Sequence, residues 1–261
     1  MRARPQKGPC VSRIRKIIAG VASAAAETFW PTRCVSCNLP GALLCAECEK
    51  SLPYINVADA CPRCGAPFSA YVCTECPMPG SVDRCGRLVA SPFAFSAARA
   101  ACSYEGVAKK LLRAYKDADE SRLAPFIAQA IAQVVRADAP EQDWTQWADA
   151  FTCVPANPKN LLRRGYDHME PIATELEREL GLMRLDVLAS HAAADQRHLG
   201  QQERLANRKG SFFVKSGVRT PAHVLLIDDV LTTGATASAA AEALFFGGVT
   251  EVRVAVFARV W

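Results

Sequence analysis

Apolar positions along this chain fall into two rhythms. A spacing of three and four residues, expected of a helix with one buried face, runs through 105–115 (around VAKKLLRAY), 121–135 (Leu123, Ile127, Ile131 and Val134 on one face) and 167–180. Residues 235–246 are read as a further helix. Between these lie short apolar runs: AFTCVP at 150–155, a weaker one at 182–188, HVLLIDD at 223–229 and VRVAVFAR at 252–259. The first must stop at Pro155, which has no N–H for a ladder. HVLLIDD is apolar without alternation, as in a strand covered on both faces. Strands alternating with helices predict an α/β fold on a parallel sheet. Two stretches break the rhythm. Residues 77–86, rich in Pro, Gly and Ser, read as a linker, and 190–209, charged and Gln-rich, have too little apolar content for a core element.

Half of the 261 residues are hydrophobic, which suits one main domain with a small appendage. No run of about 18 or more apolar residues offers a membrane span. The net charge of +5 is unevenly placed: residues 1–33 hold seven Lys/Arg against Glu27, while the other 228 residues carry 24 basic and 25 acidic groups. The body is near neutral and gives no general case for nucleic acid binding. In the tail, Arg13, Arg15 and Lys16 precede IIAGVASAAA, the outline of an export signal. Residues 1–33 lack Leu, however, and Ile14, Ile17, Ile18 and Val21 recur at helical spacing. The segment 1–30 is therefore read as a basic amphipathic helix docked on its own domain, without stable membrane insertion.

The cysteines define a second domain, 31–80. Of twelve, eight form four CxxC pairs: Cys34/Cys37, Cys45/Cys48, Cys61/Cys64 and Cys73/Cys76. A CxxC turn presents two thiolates on one side of a knuckle, and two knuckles complete a tetrahedral zinc site. Two structural zinc sites, each of four cysteines, follow. Sequential pairing is the simplest arrangement, and an interleaved one stays open. A redox CxxC normally occurs singly, and a disulfide scaffold needs an oxidising compartment, so the reading is a cytoplasmic double zinc ribbon folded largely by its metal. Gly65, after CPRC, sits where such a turn often needs positive φ. Cys10, Cys85, Cys102 and Cys153 lack the pattern and are read as unliganded thiols.

In the remaining domain, 81–261, the run VLLIDDVLTTGAT at 224–236 carries chemistry. A buried strand delivers Asp228 and Asp229 to its C-terminal edge, where open α/β sheets bind ligands. Thr232, Thr233, Gly234, Ala235 and Thr236 then form a small-residue turn opening a helix, whose free N–H groups and positive dipole end suit a phosphate. Paired carboxylates suit a diol, since each accepts hydrogen bonds from hydroxyls.

These thirteen residues resemble the phosphoribosyl pyrophosphate (PRPP) motif of type I phosphoribosyltransferases. The wider set is similar to the ComF family, double-zinc-ribbon phosphoribosyltransferase-like proteins that include the GntX type. It comprises LCAEC, CPRCG, AYK at Lys116, VP at Pro155, RRGYDH at 163–168, QRHLGQQERLANRKGSF at 196–212 and the final strand ending in AR. The resemblance implies that Asp228 and Asp229 bind the ribose hydroxyls and act in catalysis. It also implies that Val230, Leu231 and the turn from Thr232 to Thr236 line the PRPP site. Pro155 would belong to the pyrophosphate loop, with Lys116, Arg163 and Arg164 as basic partners, and Mg²⁺ would accompany PRPP through water ligands. Gln196, Arg204 and Asn207 match a mobile lid.

Either of two functions fits the resemblance: phosphoribosyl transfer to an acceptor, or PRPP binding without turnover in DNA uptake. Single-stranded DNA or a helicase-like protein would be the partner. The ribbon segment 34–76 has only Lys50 and Arg63 against Glu47, Glu49, Asp59 and Glu75, which argues against DNA-backbone binding by the knuckles. The chain departs from the family where RGFNQ becomes Arg164-Gly165-Tyr166-Asp167-His168, where VPVP becomes VPANP, and at His191 and Ala193. His168 could serve as a general base near neutrality, but it is read as a surface imidazole.

Overall fold

The computed structural model describes residues 31–68, 73, 75–76, 93–136, 142–156, 158–190 and 211–261, without the side chains of Lys159, Asn160 and Arg163. The amphipathic segment 1–30, the linker 77–86, His191, Ala193 and the lid residues Gln196, Arg204 and Asn207 lie outside the described residues. Contacts divide the chain into a small unit ending at Ser51 and a larger one, Leu52–Trp261.

In the small unit, Cys34 opens a knuckle closed by hydrogen bonds from Cys34 N–H to the Leu39 carbonyl and from Asn38 N–H to the Cys34 carbonyl, each 2.8 Å. Asn38 turns the chain at φ 63°. A one-turn helix, α1 (Ala46–Lys50), begins at Cys45 and carries Cys48.

The larger unit is built on a five-stranded parallel sheet of β1 (Ala97–Ser103), β2 (Ala150–Cys153), β3 (Met183–Arg184), β6 (His223–Leu231) and β7 (Glu251–Arg259). Their order is β1-β7-β6-β2-β3. A separate antiparallel ribbon joins β4 (Leu188–Ser190) to β5 (Phe212–Val214). The two long central strands, β6 and β7, are the continuous apolar runs of the sequence, and their interiors are largely buried. That continuity is what a doubly covered parallel strand requires.

Side chains alternate across each strand. Val252, Val254 and Val256 of β7 share one core with Leu244 and Ala240 of the helix α7 (Ala235–Phe246). Phe257 faces the other way and meets Phe126 of α3 (Ala124–Val135) edge-on at 6.4 Å between centroids. Helix α2 (Gly106–Asp117) follows β1, the single-turn α4 (Trp144–Trp147) precedes β2, and α5 (Pro158–Arg164) and α6 (Met169–Leu180) follow it. No helix among the described residues is long and apolar enough to cross a membrane. The fold is thus the α/β, parallel-sheet architecture expected, with two four-cysteine clusters toward the N-terminus.

Candidate functional site

Knuckle pairing, open in the sequence, is sequential: Cys34, Cys37, Cys45 and Cys48 converge in one cluster, and Cys61, Cys64, Cys73 and Cys76 in the other. Within each, all four Sγ atoms lie within 4.8 Å of one another. Sulfur separations are 3.6 Å for Cys37–Cys45, 3.4 Å for Cys61–Cys76 and 3.5 Å for Cys64–Cys73. A tetrahedral zinc–thiolate site with bonds of about 2.3 Å places sulfurs roughly 3.8 Å apart, so both donor sets fit zinc. The ten described cysteines form no disulfide. Burial pushes the Cys64 thiol up to about 12, with the Cys61 charge adding to it. A cation reverses that balance by stabilising the thiolate.

The second cluster is packed into the sheet unit. Gly65 turns at φ 69°, as the CPRCG reading required, and a Cβ there would lie 3.1 Å from the Ala98 carbonyl oxygen of β1. Cys61, Cys64 and Cys76 belong to the same core as Phe93, Phe95, Leu231 and Ala237.

At the C-terminal end of β6, Asp229 is 4% exposed. Strand alternation sends it toward α2 and α6, where Lys116 Nζ lies 2.5 Å and His168 Nε2 2.8 Å from its Oδ2. His168 is therefore not the surface imidazole expected. Asp167 accepts the Met169 N–H at the start of α6 at 2.9 Å, and Tyr115 Oη donates to the His168 carbonyl, which together turn the ring inward. Asp228 accepts the Asp229 N–H at 2.9 Å. Burial and the Asp229 charge push Asp228 well above the usual carboxylate range. Burial acts on Asp229 too, but the His168 hydrogen bond and the Lys116 charge outweigh it and hold Asp229 at about 2. One carboxyl is thus firmly ionised and the other is held in tension beside it.

Beyond the pair, Thr232, Thr233, Ala235 and Thr236 are exposed and Gly234 is buried. Gly234 has φ 76°, and a Cβ on it would fall 2.4 Å from the Phe93 ring. Both the positive φ and the ring favour glycine here. The Ala235 N–H reaches Thr233 Oγ1 at 3.4 Å, and α7 begins at once.

The remaining candidates divide between two clefts. Lys116 and Arg164 line one of about 440 Å³ with Asp117, Asp119 and Tyr166. Arg164 pairs there with Asp117 at 3.5 Å. Pro155 lines another of about 450 Å³ with Asp167, Arg184 and Glu170. The backbone of Arg163 lies in α5. Residues that sequence reasoning passed over are Asp119, Phe93 and Arg259. The first two carry no motif, and Arg259 was only the last letter of the closing strand.

No family model matches this chain. It is 26% identical over 230 residues to the "DNA utilization protein YhgH" of Salmonella typhimurium, covering 86% of this chain and 95% of that protein. Over 210 residues it is 25% identical to the "Competence protein ComFC" of Streptococcus pneumoniae, with 80% and 84% covered. The "Competence protein F" of Haemophilus influenzae is 26% identical over 242 residues, with 88% and 98% covered. Similarity over most of the chain to competence and DNA-utilisation proteins supports a place in the ComF family. The expected resemblance is met by relatives that are matched over nearly their whole length.

Proposed function

We propose that this ComF-family protein binds PRPP at the end of β6 and transfers its phosphoribosyl group to an acceptor in the service of DNA uptake or utilisation. The observation that carries the reading is the acidic pair followed by an exposed threonine turn at a helix start. Asp228 and Asp229 would accept the ribose hydroxyls, and the amides and hydroxyls of the turn would hold the 5′-phosphate. Lys116, Arg163 and Arg164, with Pro155, would take the pyrophosphate side. Mg²⁺ bound with PRPP would neutralise pyrophosphate charge, and the hard oxygen donors here suit it. PRPP carries its own leaving group, so the protein's task is positioning and charge stabilisation. Lys116, on Asp229 without ligand, would exchange that partner for pyrophosphate oxygens.

A second reading is supported by the relatives' names, which speak of competence and DNA utilisation and name no transfer reaction. In it PRPP is a bound signal without turnover, and in the cytoplasm the basic tail, 1–33, contacts single-stranded DNA or the ribbons contact a helicase-like partner.

Calorimetry with PRPP and Mg²⁺ on wild type and on Asp228→Asn/Asp229→Asn tests the ligand. Binding by wild type alone supports the proposal; no binding by either sinks it. A pyrophosphate-release screen over nucleobases then separates transfer from signalling.

A further inference from the structure

Arg259, at the end of β7, heads the fully buried large side chains and is 1% exposed. Burying a guanidinium costs several kcal/mol unless its donors are matched. The partners of Arg259 fall into two groups. Toward the second cysteine cluster, Nε donates to the Cys64 carbonyl at 3.3 Å and Nη2 reaches Glu75 Oε2 at 3.5 Å. Toward the phosphate turn, Nη1 donates to the Leu231 carbonyl at 3.3 Å and to the Thr232 carbonyl, and also to that of Val260. A parallel link runs from the same knuckle. Arg63 Nη2 donates to the Phe93 carbonyl at 3.2 Å, and the Phe93 ring walls Gly234.

A trans peptide is planar, with the C=O of one residue opposed to the N–H of the next. Carbonyls of Leu231 and Thr232 pulled inward to Arg259 therefore aim the amides of Thr232 and Thr233 away from it, on residues that are exposed. Those are the donors an anion at this turn would use. A cluster of four thiolates around a divalent metal is a net anion, a counter-charge for the buried guanidinium beside the Glu75 carboxylate.

We propose that the second cysteine cluster braces the phosphate turn, with Arg259 as the positioning residue that couples the two. The inference rests on the phosphate reading of the turn for its consequence in binding, though the brace itself is a property of the ligand-free protein. Metal loss at Cys61, Cys64, Cys73 and Cys76 then loosens the amides of the turn, whereas metal loss at Cys34, Cys37, Cys45 and Cys48 leaves them in place.

The test combines zinc content, amide hydrogen exchange at 231–236 and calorimetry with PRPP and Mg²⁺. Arg259→Lys keeps the charge but loses the planar fork, so exchange should rise and PRPP affinity fall, each by about tenfold, with both zinc ions retained. Cys73→Ser should lose one zinc and reproduce both changes; Cys37→Ser should lose one zinc and reproduce neither. Should Arg259→Lys fail to fold, Glu75→Gln at the half-exposed rim decides, with a shift of about threefold in the same direction. Unchanged exchange in the folded Arg259 or Glu75 variant and in Cys73→Ser overturns the brace. Raised exchange in a protein whose wild type binds no PRPP supports the brace while removing the PRPP reading.

Discussion

The two cysteine clusters share ligands, spacing and knuckle chemistry, yet they are embedded differently. In the first, Cys37 is exposed, Cys45 is half-buried and the knuckle hydrogen bonds close within residues 32–43. In the second, Cys64 has no exposure, Cys61 and Cys76 are 4% exposed, and their neighbours are the core side chains under β6 and β7. The residue after each first CxxC pair adopts the same left-handed turn, at φ 63° in Asn38 and 69° in Gly65. Asparagine tolerates that region, but at the second knuckle the Ala98 carbonyl leaves little room for a side chain. Identical metal-site grammar can thus serve a self-contained module or the core of a larger domain, and packing decides which.

The largest expected effect comes from breaking each cluster in turn. Cys64→Ser removes a metal ligand and core packing together and should destabilise the sheet unit by more than about 4 kcal/mol. Cys37→Ser should release one zinc and leave the main calorimetric transition within about 3 °C of wild type. Equal losses of cooperativity in both variants would show that the contrast in burial has no energetic weight.

A smaller effect probes the glycines. Gly234→Ala must strain φ and displace Phe93, at a cost of about 2–3 kcal/mol, read as a drop of roughly 4–12 °C in the main transition. Gly41, in the small unit, has positive φ, but nothing lies within 4 Å of where a Cβ would stand. Gly41→Ala should leave that transition in place. A thermal scan in which the two variants coincide removes the distinction.

What could be read in advance follows the same division between local and long-range causes. Strands β6 and β7 and helix α7 were legible because their apolar runs are continuous and their ends are marked by Asp, Gly and Thr. Strand β1 was not anticipated. Its sequence, AARAACS, has no β-branched residue, and it is a strand because it pairs with β7. The weak run at 182–188 proved to be two pieces: Met183–Arg184 joins the main sheet, and Leu188 begins the separate ribbon. Helix α5 followed a proline-rich turn and went unread for lack of an apolar face. The acidic pair was found, but the inward turn of His168 depends on Tyr115, 53 residues away. Arg259 resembled any strand-terminal cation, and only tertiary packing reveals its partners.

The acidic pair extends the comparison to the far side of the turn, which α2 and the His168 segment support. Asp229 is held at about 2, below the unfolded aspartate value of about 3.9. A depressed carboxylate contributes stability above the unfolded value and loses it as pH falls toward the folded one. Asp229→Asn should therefore flatten the decline between about pH 5 and 2 by an amount near 2 kcal/mol. Urea unfolding of both proteins at each pH checks this, since acid release of metal affects them alike. Parallel curves would mean that Lys116 and His168 do not stabilise the carboxylate.

The smallest effect has the opposite sign. Asp228 is pushed upward by burial and by its ionised neighbour, so ionising it opposes folding. Asp228→Asn removes that charge while Oδ1 can still accept the Asp229 N–H. The variant should gain stability, read as a rise in the main transition temperature, and lose PRPP binding. Substitutions in the second cluster cost stability because its groups satisfy one another; this one gains it because it removes a carboxylate crowded against its ionised neighbour. If Asp228→Asn instead destabilises as much as Gly234→Ala, the carboxylate is a structural group of the empty protein, and the ribose assignment loses its physical basis.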